Sequence, residues 1–319
     1  MTPKAAVPRK KTCNTCSKAK ASPTAAQDEC DTIGGSTSVL AQTQYAAIPS
    51  VLGTALTSPA SAEIINFENV QLVRTVDDYR IRARWLESVL PSAHQTPKQF
   101  APSTMAFVSE VFKSYPGMFM AENAHPPFIH WAQVASKLHF SLLATLQAYL
   151  LLTIMLFFTS RSGTNFIEQD IMIKLQELAG DVASKGTLCL AETNGARPDW
   201  ESWIIASATR RTLFATYLFD NLVNFTLGSP SFIATELASL PAPASQRLWS
   251  AQTRHLWNTA YNQQLSQCAD GGLLISHLWP SPDSDTPKLK KKVRQWLSSV
   301  DEFGMMLYAV TSHTYGKQA

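Results

Sequence analysis

The stretch that decides the fold runs Trp200-Glu201-Ser202-Trp203-Ile204, through Ala208-Thr209-Arg210-Arg211-Thr212-Leu213-Phe214 and Tyr217-Leu218-Phe219-Asp220, to Leu227-Gly228-Ser229-Pro230. Leu213, Phe214, Tyr217, Leu218, Leu222 and Phe225 recur at three- and four-residue steps, the period that gathers side chains on one face of an α-helix. The spacing predicts a helix over residues 200–225 with an apolar stripe. It closes at glycine followed by proline, because glycine accepts a left-handed closing turn and proline cannot continue the helix. Two adjacent arginines inside this apolar run are costly unless paired, and Glu201 and Asp220 are plausible carboxylate partners. Arg210 and Arg211 are therefore expected to be structural. Trp200, Trp203, Trp249 and Trp257 are expected as core anchors, each with its indole N–H near a carbonyl.

Outward from this segment the pattern stays helical. Ile81, Trp85, Leu86, Val89 and Leu90 fall at helical spacing before Pro91. Residues 138–160 carry no charged side chain and are as long as a membrane span. His139, Ser141, Thr145, Gln147 and Thr153 interrupt the run, and no second segment resembles it, so the expectation is a buried core helix apolar on nearly all sides. Further helices are predicted over residues 166–183, 245–268 and 289–308, the last with a stripe of Val293, Trp296, Leu297, Val300, Phe303 and Leu307. No strand pattern and no fixed-period repeat intervenes. The fold class expected is all-α: a large helical domain over residues 63–319.

The amino end differs in kind. Lys4, Arg9, Lys10, Lys11, Lys18 and Lys20 all precede the first acidic residue, Asp28, whereas residues 21–62 contain neither lysine nor arginine and are rich in Ala, Ser, Thr and Gln. A basic arm (within residues 1–30) followed by a flexible linker (31–62) is the electrostatic footprint of a short element that meets a polyanion, or else of a solvated tail. Overall the chain has 319 residues, a formal net charge of +3, 45% hydrophobic and 16% charged residues, which argues for a folded polypeptide rather than wholesale disorder. Five scattered cysteines do not make a disulfide framework, and the residues after Met1 contain no apolar secretion signal, so a reducing compartment is expected.

Cys13-Asn14-Thr15-Cys16 is a C-x2-C pair, a spacing at which two thiolates clasp one zinc ion, set among Lys10, Lys11, Lys18 and Lys20. Residues 9–20 resemble the opening of the fungal Zn2Cys6 binuclear cluster, in which six cysteines hold two zinc ions and the basic residues that follow the second cysteine dock a short helix in the major groove. The resemblance implies Cys13, Cys16 and Cys30 as zinc ligands and Arg9, Lys10, Lys11, Lys18 and Lys20 as DNA contacts, with Lys20 in the place of the base-contacting lysine. The departures are equally plain: Pro23 stands where the third cysteine belongs and Ile33 where the fifth does. Two tetrahedral sites sharing sulfurs need all six thiolates, so the element is degenerate: a remnant with sequence-blind phosphate contact, a reading frame whose missing cysteines fell at an exon boundary, or a basic tail.

The order of motifs from Trp200 to Pro230, with Leu240-Pro241-Ala242-Pro243-Ala244 and Leu248-Trp249 after it, is similar to the fungal-specific transcription factor domain over roughly residues 120–265. That resemblance implies a nuclear regulator of transcription, in many members tied to a secondary-metabolite gene set, with DNA as partner and a homodimer or a heterodimer with related regulators as assembly. An interaction protein of the same fold that has lost DNA binding is the alternative, and a membrane-associated helical protein the third. Catalysis is not indicated: no Gly-x-Ser-x-Gly elbow, phosphate-binding glycine loop or His-Glu-x-x-His occurs, and His125, His130 and His139 do not share metal spacing. The run Lys288, Lys290, Lys291, Lys292 and Arg294 reads as a solvated helix start, although cations there oppose the helix dipole and hint at an external anion.

Overall fold

The computed structural model describes residues 65–91, 95–121, 124–136, 141–159, 168–267, 271–280 and 286–312. All lie in one compact unit, Ser58–Ala319. This unit is all-α, as the periodicities predict. Its helices are α1 (Asp78–Arg82), α2 (Arg84–Val89), α3 (Pro102–Met120), α4 (Trp131–Ala135), α5 (Leu142–Thr159), α6 (Gln169–Ser184), α7 (Leu190–Thr193), α8 (Trp200–Leu227), α9 (Gln246–Trp249), α10 (Arg254–Gln267), α11 (Pro287–Leu297) and α12 (Glu302–Ser312). An antiparallel ladder of two-residue strands, β1 (Leu72–Val73) and β2 (Leu188–Cys189), pins the start of the unit against the segment after α6. The ladder requires glycine nearby: Gly186 has φ 121°, and a Cβ there would sit 2.5 Å from the Leu72 side chain.

Helix α8 is the axis. Asp199 caps its start, the carboxylate accepting from the Ser202 amide at 2.7 Å. Gly228, with φ 67°, closes its end in the left-handed turn, and the Ser229 amide reaches back to the Asn224 carbonyl at 2.8 Å. Between these caps every residue from 206 to 223 is buried. The single apolar stripe expected from the sequence is therefore too narrow a description: α3, α5, α6, α10 and α12 all pack on α8, and only from Phe225, 39% exposed, does the helix emerge at the surface. Its first turns enter a tryptophan-rich core with Trp200, Trp203, Leu248, Trp257 and Tyr261. Its remainder enters the main core with Phe112, Phe128, Leu146, Phe157 and Phe303.

Helix α5 departs from expectation in the opposite sense. Leu143, Leu146, Leu150, Ile154 and Phe157 are buried, and the Gln147 amide is satisfied inside by the Phe128 carbonyl at 2.9 Å and the Thr212 hydroxyl at 3.2 Å. Yet Leu152, Met155 and Leu156 are 54%, 41% and 49% exposed. Among the described residues this is the one helix long and apolar enough to cross a membrane. It is buried against α3, α6 and α8 on one side and bare on the other, so it is not enclosed all round.

Two predicted helices are also each divided in two. The helix predicted over 245–268 is interrupted after Trp249 and resumes at Arg254, and the one over 289–308 breaks between Leu297 and Glu302. In both cases a single apolar period runs across a corner, because the two helices bury their stripes against the same core. Pro102 opens α3, a helix that the sequence patterns above do not mark, with Met105, Val108, Phe112 and Tyr115 on its buried face.

The different environments of α8 and α5 have a direct consequence. Phe214→Ala should cost about 3–5 kcal/mol in urea denaturation, whereas Leu156→Ala on the bare face of α5 should stay within about 0.5 kcal/mol of the parent.

Candidate functional site

The chemistry of this domain is concentrated in charged side chains threaded through α8. Arg210 forms a two-pronged pair with Glu192, Nη1 to Oε2 at 3.0 Å and Nη2 to Oε1 at 3.1 Å, and its remaining donors reach the Thr187 carbonyl and the Ser207 hydroxyl, each at 3.0 Å. Glu192 also accepts from the Cys189 amide at 2.9 Å, so this arginine is docked on the cap of α7. One residue on, Arg211 leaves α8 in a different direction. Its Nη1 donates to Asp301 at 2.7 Å and to the Pro127 carbonyl at 3.0 Å. Its guanidinium lies 4.2 Å from the centre of the Trp249 ring and 5.4 Å from that of Phe303. With a side chain 2% exposed, Arg211 is among the most deeply buried charges described. Burial pulls its pKa below the ordinary arginine value even though Asp301 pushes the other way.

Further along the helix Asp220 accepts from Arg84 Nε at 3.3 Å and from the Gln176 amide at 3.0 Å. Arg84 spends its other donors on Glu236 at 2.7 Å and on the Phe232 carbonyl at 2.8 Å. Burial disfavours the Arg84 charge, but Glu236 and Asp220 outweigh it and hold the guanidinium above its usual value. Next to this cluster, Lys98 donates to the Tyr217 hydroxyl at 2.5 Å and to Asn221 Oδ1 at 3.2 Å. Burial first, and Arg84 second, bring its ammonium well below the ordinary lysine range.

The expectation that Glu201 or Asp220 pairs with the twin arginines is corrected by this geometry. Glu201 holds Arg254, at 2.9 Å between Nη1 and Oε2, and Asp220 holds Arg84. Side chains nine or ten positions apart on α8 leave in directions that do not meet, so each charge takes its partner from another segment of chain. Glu192 and Asp301 carry no sequence signal beyond being carboxylates, and pattern reasoning misses them. The tryptophans are core anchors, and Trp200, Trp203 and Trp257 are each 1% exposed. The expected indole-to-carbonyl bonds are absent at Trp200 and Trp257, whose Nε1 atoms have no partner among the described residues. Trp131 and Trp296 make them instead, to the Ala251 carbonyl at 3.2 Å and the Pro243 carbonyl at 2.8 Å.

His130 caps α4, with Nδ1 accepting from the Ala132 amide at 3.2 Å while the Gln133 side chain accepts from the His130 amide at 3.0 Å. This requires the neutral ring. Burial, with Arg211 adding, brings its pKa down to about 3. Cys189 is buried, with its thiol pKa raised by that burial, which makes it an unreactive core residue. Among the described residues no three of His, Cys, Asp and Glu group as a metal site. The cysteines and cations named for zinc and DNA, Cys13, Cys16, Cys30, Arg9, Lys10, Lys11, Lys18 and Lys20, lie outside the described residues.

The fold and its buried charges thus define an all-helical scaffold in which charged side chains tie distant segments of chain to one central helix. Residues 111–300 match the fungal specific transcription factor domain, and the chain belongs to that family of transcription regulators. Comparison with curated proteins and with solved structures returns no match.

Breaking the Arg211 pair from either side should be severe. Asp301→Asn and Arg211→Met are each expected to cost about 3–5 kcal/mol in denaturant titration, with the double variant costing clearly less than their sum. His130 sets a pH window. Its folded pKa is depressed from 6.5 to about 3, so the unfolded chain takes up a proton that the folded chain refuses, and stability falls as pH drops from 6.5 towards 3. The slope should approach about 1.4 kcal/mol per pH unit and should flatten in His130→Asn, which keeps a capping side chain.

Proposed function

We propose that the protein is a nuclear regulator of transcription in which the helical unit is the effector or dimerising module and residues 9–20 meet DNA through charge alone. The observation that carries the reading is the family match over residues 111–300, joined to the six cations that precede the first carboxylate. The donor set decides the manner of contact. Cys13, Cys16 and Cys30 supply three thiolates where a binuclear cluster needs six, so the residues present do not fit that cluster and no step of the reading passes through zinc. Without a metal-built recognition helix, Lys10, Lys11, Lys18 and Lys20 neutralise phosphates and carry little sequence information. The family resemblance extends the proposal to control of a secondary-metabolite gene set.

The missing thiolates favour a second reading, in which the helical unit acts by pairing with complete regulators and does not touch DNA itself. Gel-shift assays on the full chain separate the two. The charge-only reading expects retention of any duplex at low salt, insensitive to added zinc. It also expects the log–log salt slope to shrink by about 2 in the Lys10→Gln/Lys11→Gln double variant, near one for each phosphate that no longer meets a lysine. No retention at low salt rules out direct contact and favours pairing. Zinc-dependent retention of one sequence over others contradicts both.

A further inference from the structure

A cleft of about 690 Å³ opens between α10, α11 and the segment of residues 241–250. It falls within the roughly 300–1,000 Å³ that small-molecule sites occupy. Its frame is built by backbone and side-chain bonds rather than by chance apposition. The Ala242 amide donates to the Leu273 carbonyl at 2.8 Å and the Gln246 amide to the Ser299 carbonyl at 2.9 Å. The Trp296 indole, committed to the Pro243 carbonyl at 2.8 Å, fixes α11 as one wall.

The lining is chemically one-sided. Among the described residues it contains five glutamines and four serines, two cations, Arg247 and Lys292, and no aspartate, glutamate, histidine, cysteine or tyrosine. Arg247 donates to Gln263 Oε1 at 2.9 Å and Lys292 to the Gly272 carbonyl at 3.1 Å. Both acceptors are neutral. Arg84, Arg210, Arg211 and Arg254, by contrast, each hold a carboxylate. Two cations facing one concavity, with no carboxylate among the described residues of its walls, make a positive potential that an anion relieves, and the amides and hydroxyls around them match a hydrogen-bonding body.

We infer that this cleft is an effector site for a small organic anion, a carboxylate or phosphate ester with a hydroxyl-bearing body, gripped by Arg247 and Lys292 and fitted by the glutamine amides. Ser299, in the cleft wall, stands two residues before Asp301, the partner of Arg211, so a ligand that shifts this wall acts on the central helix. The site does not depend on whether residues 9–20 touch DNA.

The test is isothermal titration of the full chain with citrate, glucose 6-phosphate, inorganic phosphate and glucose. The expected result is saturable binding of citrate or glucose 6-phosphate, which of the two deciding between carboxylate and phosphate, with glucose and inorganic phosphate far weaker. Affinity should fall about tenfold or more in Arg247→Gln/Lys292→Gln, and likewise in Gln264→Glu, which places a carboxylate in the cleft at nearly constant volume, with circular dichroism unchanged in each. Binding that survives in all variants, binding of glucose as tight as that of its phosphate, inorganic phosphate binding as tight as either organic anion, or no binding of citrate and glucose 6-phosphate at millimolar concentration would each overturn the assignment.

Discussion

The contact between Arg211 and Asp301 is the one on which most of this structure depends. It joins the middle of the central helix to the corner between α11 and α12, and the same guanidinium takes the Pro127 carbonyl ahead of α4 and rests on Trp249 of α9. Four segments distant in sequence therefore converge on one buried charge. A guanidinium so placed needs acceptors for its donors and cover for its planar face. Here the aromatic rings of Trp249 and Phe303 supply the cover, and Asp301 and the Pro127 carbonyl both accept from Nη1, while Nη2 has no acceptor among the described residues. Arg210 does the same elsewhere on α8 with Glu192 and the Thr187 carbonyl, and Asp220 with Arg84 near the far end.

This arrangement explains why a helix with three charged residues in its interior lies at the centre while the charge-free α5 lies at the periphery. Burial of apolar area alone would have ordered them the other way. Helix α8 is chosen as axis because its arginines and aspartate find partners on α2, α6, α7 and the segments ahead of α4 and α12, and because its apolar residues are not confined to one side. Helix α5 has few polar groups to offer other segments, Gln147 and the Tyr149 hydroxyl that reaches the Ile171 carbonyl at 3.4 Å, so it packs on one face and leaves Leu152, Met155 and Leu156 bare.

Much of this is legible in the sequence. The helical class, the start and end of α8, and the aromatic and tryptophan anchors follow from period, capping residues and size. The partners of Arg210 and Arg211 are not legible, because a helix states only which of its own side chains share a face. Glu192 and Asp301 are brought in by the chain path, through α7 and the α11–α12 corner. The interruption at residues 250–253 and the break after Leu297 are hidden for a related reason: two helices that meet at a corner and bury stripes against one core continue a single apparent period. The cleft beside α11 is foreshadowed only by the run of lysines and its hint of an external anion, since its glutamines and serines come from separate stretches of chain. The family likeness is carried by the α8 motifs, and the match over residues 111–300 takes in helices from both of the cores that α8 enters.

Helix α8, locked by buried ion pairs, is the last element to open. Native-state hydrogen exchange read by mass spectrometry tests it most directly. Peptides covering residues 206–223 should be the slowest to exchange, opening only with global unfolding, and Asp301→Asn should lower their protection together with that of the other segments the pair joins. If α5 peptides outlast those of α8, or if the Asp301 substitution leaves α8 protection unchanged, the ion pairs do not hold the fold and the account is wrong.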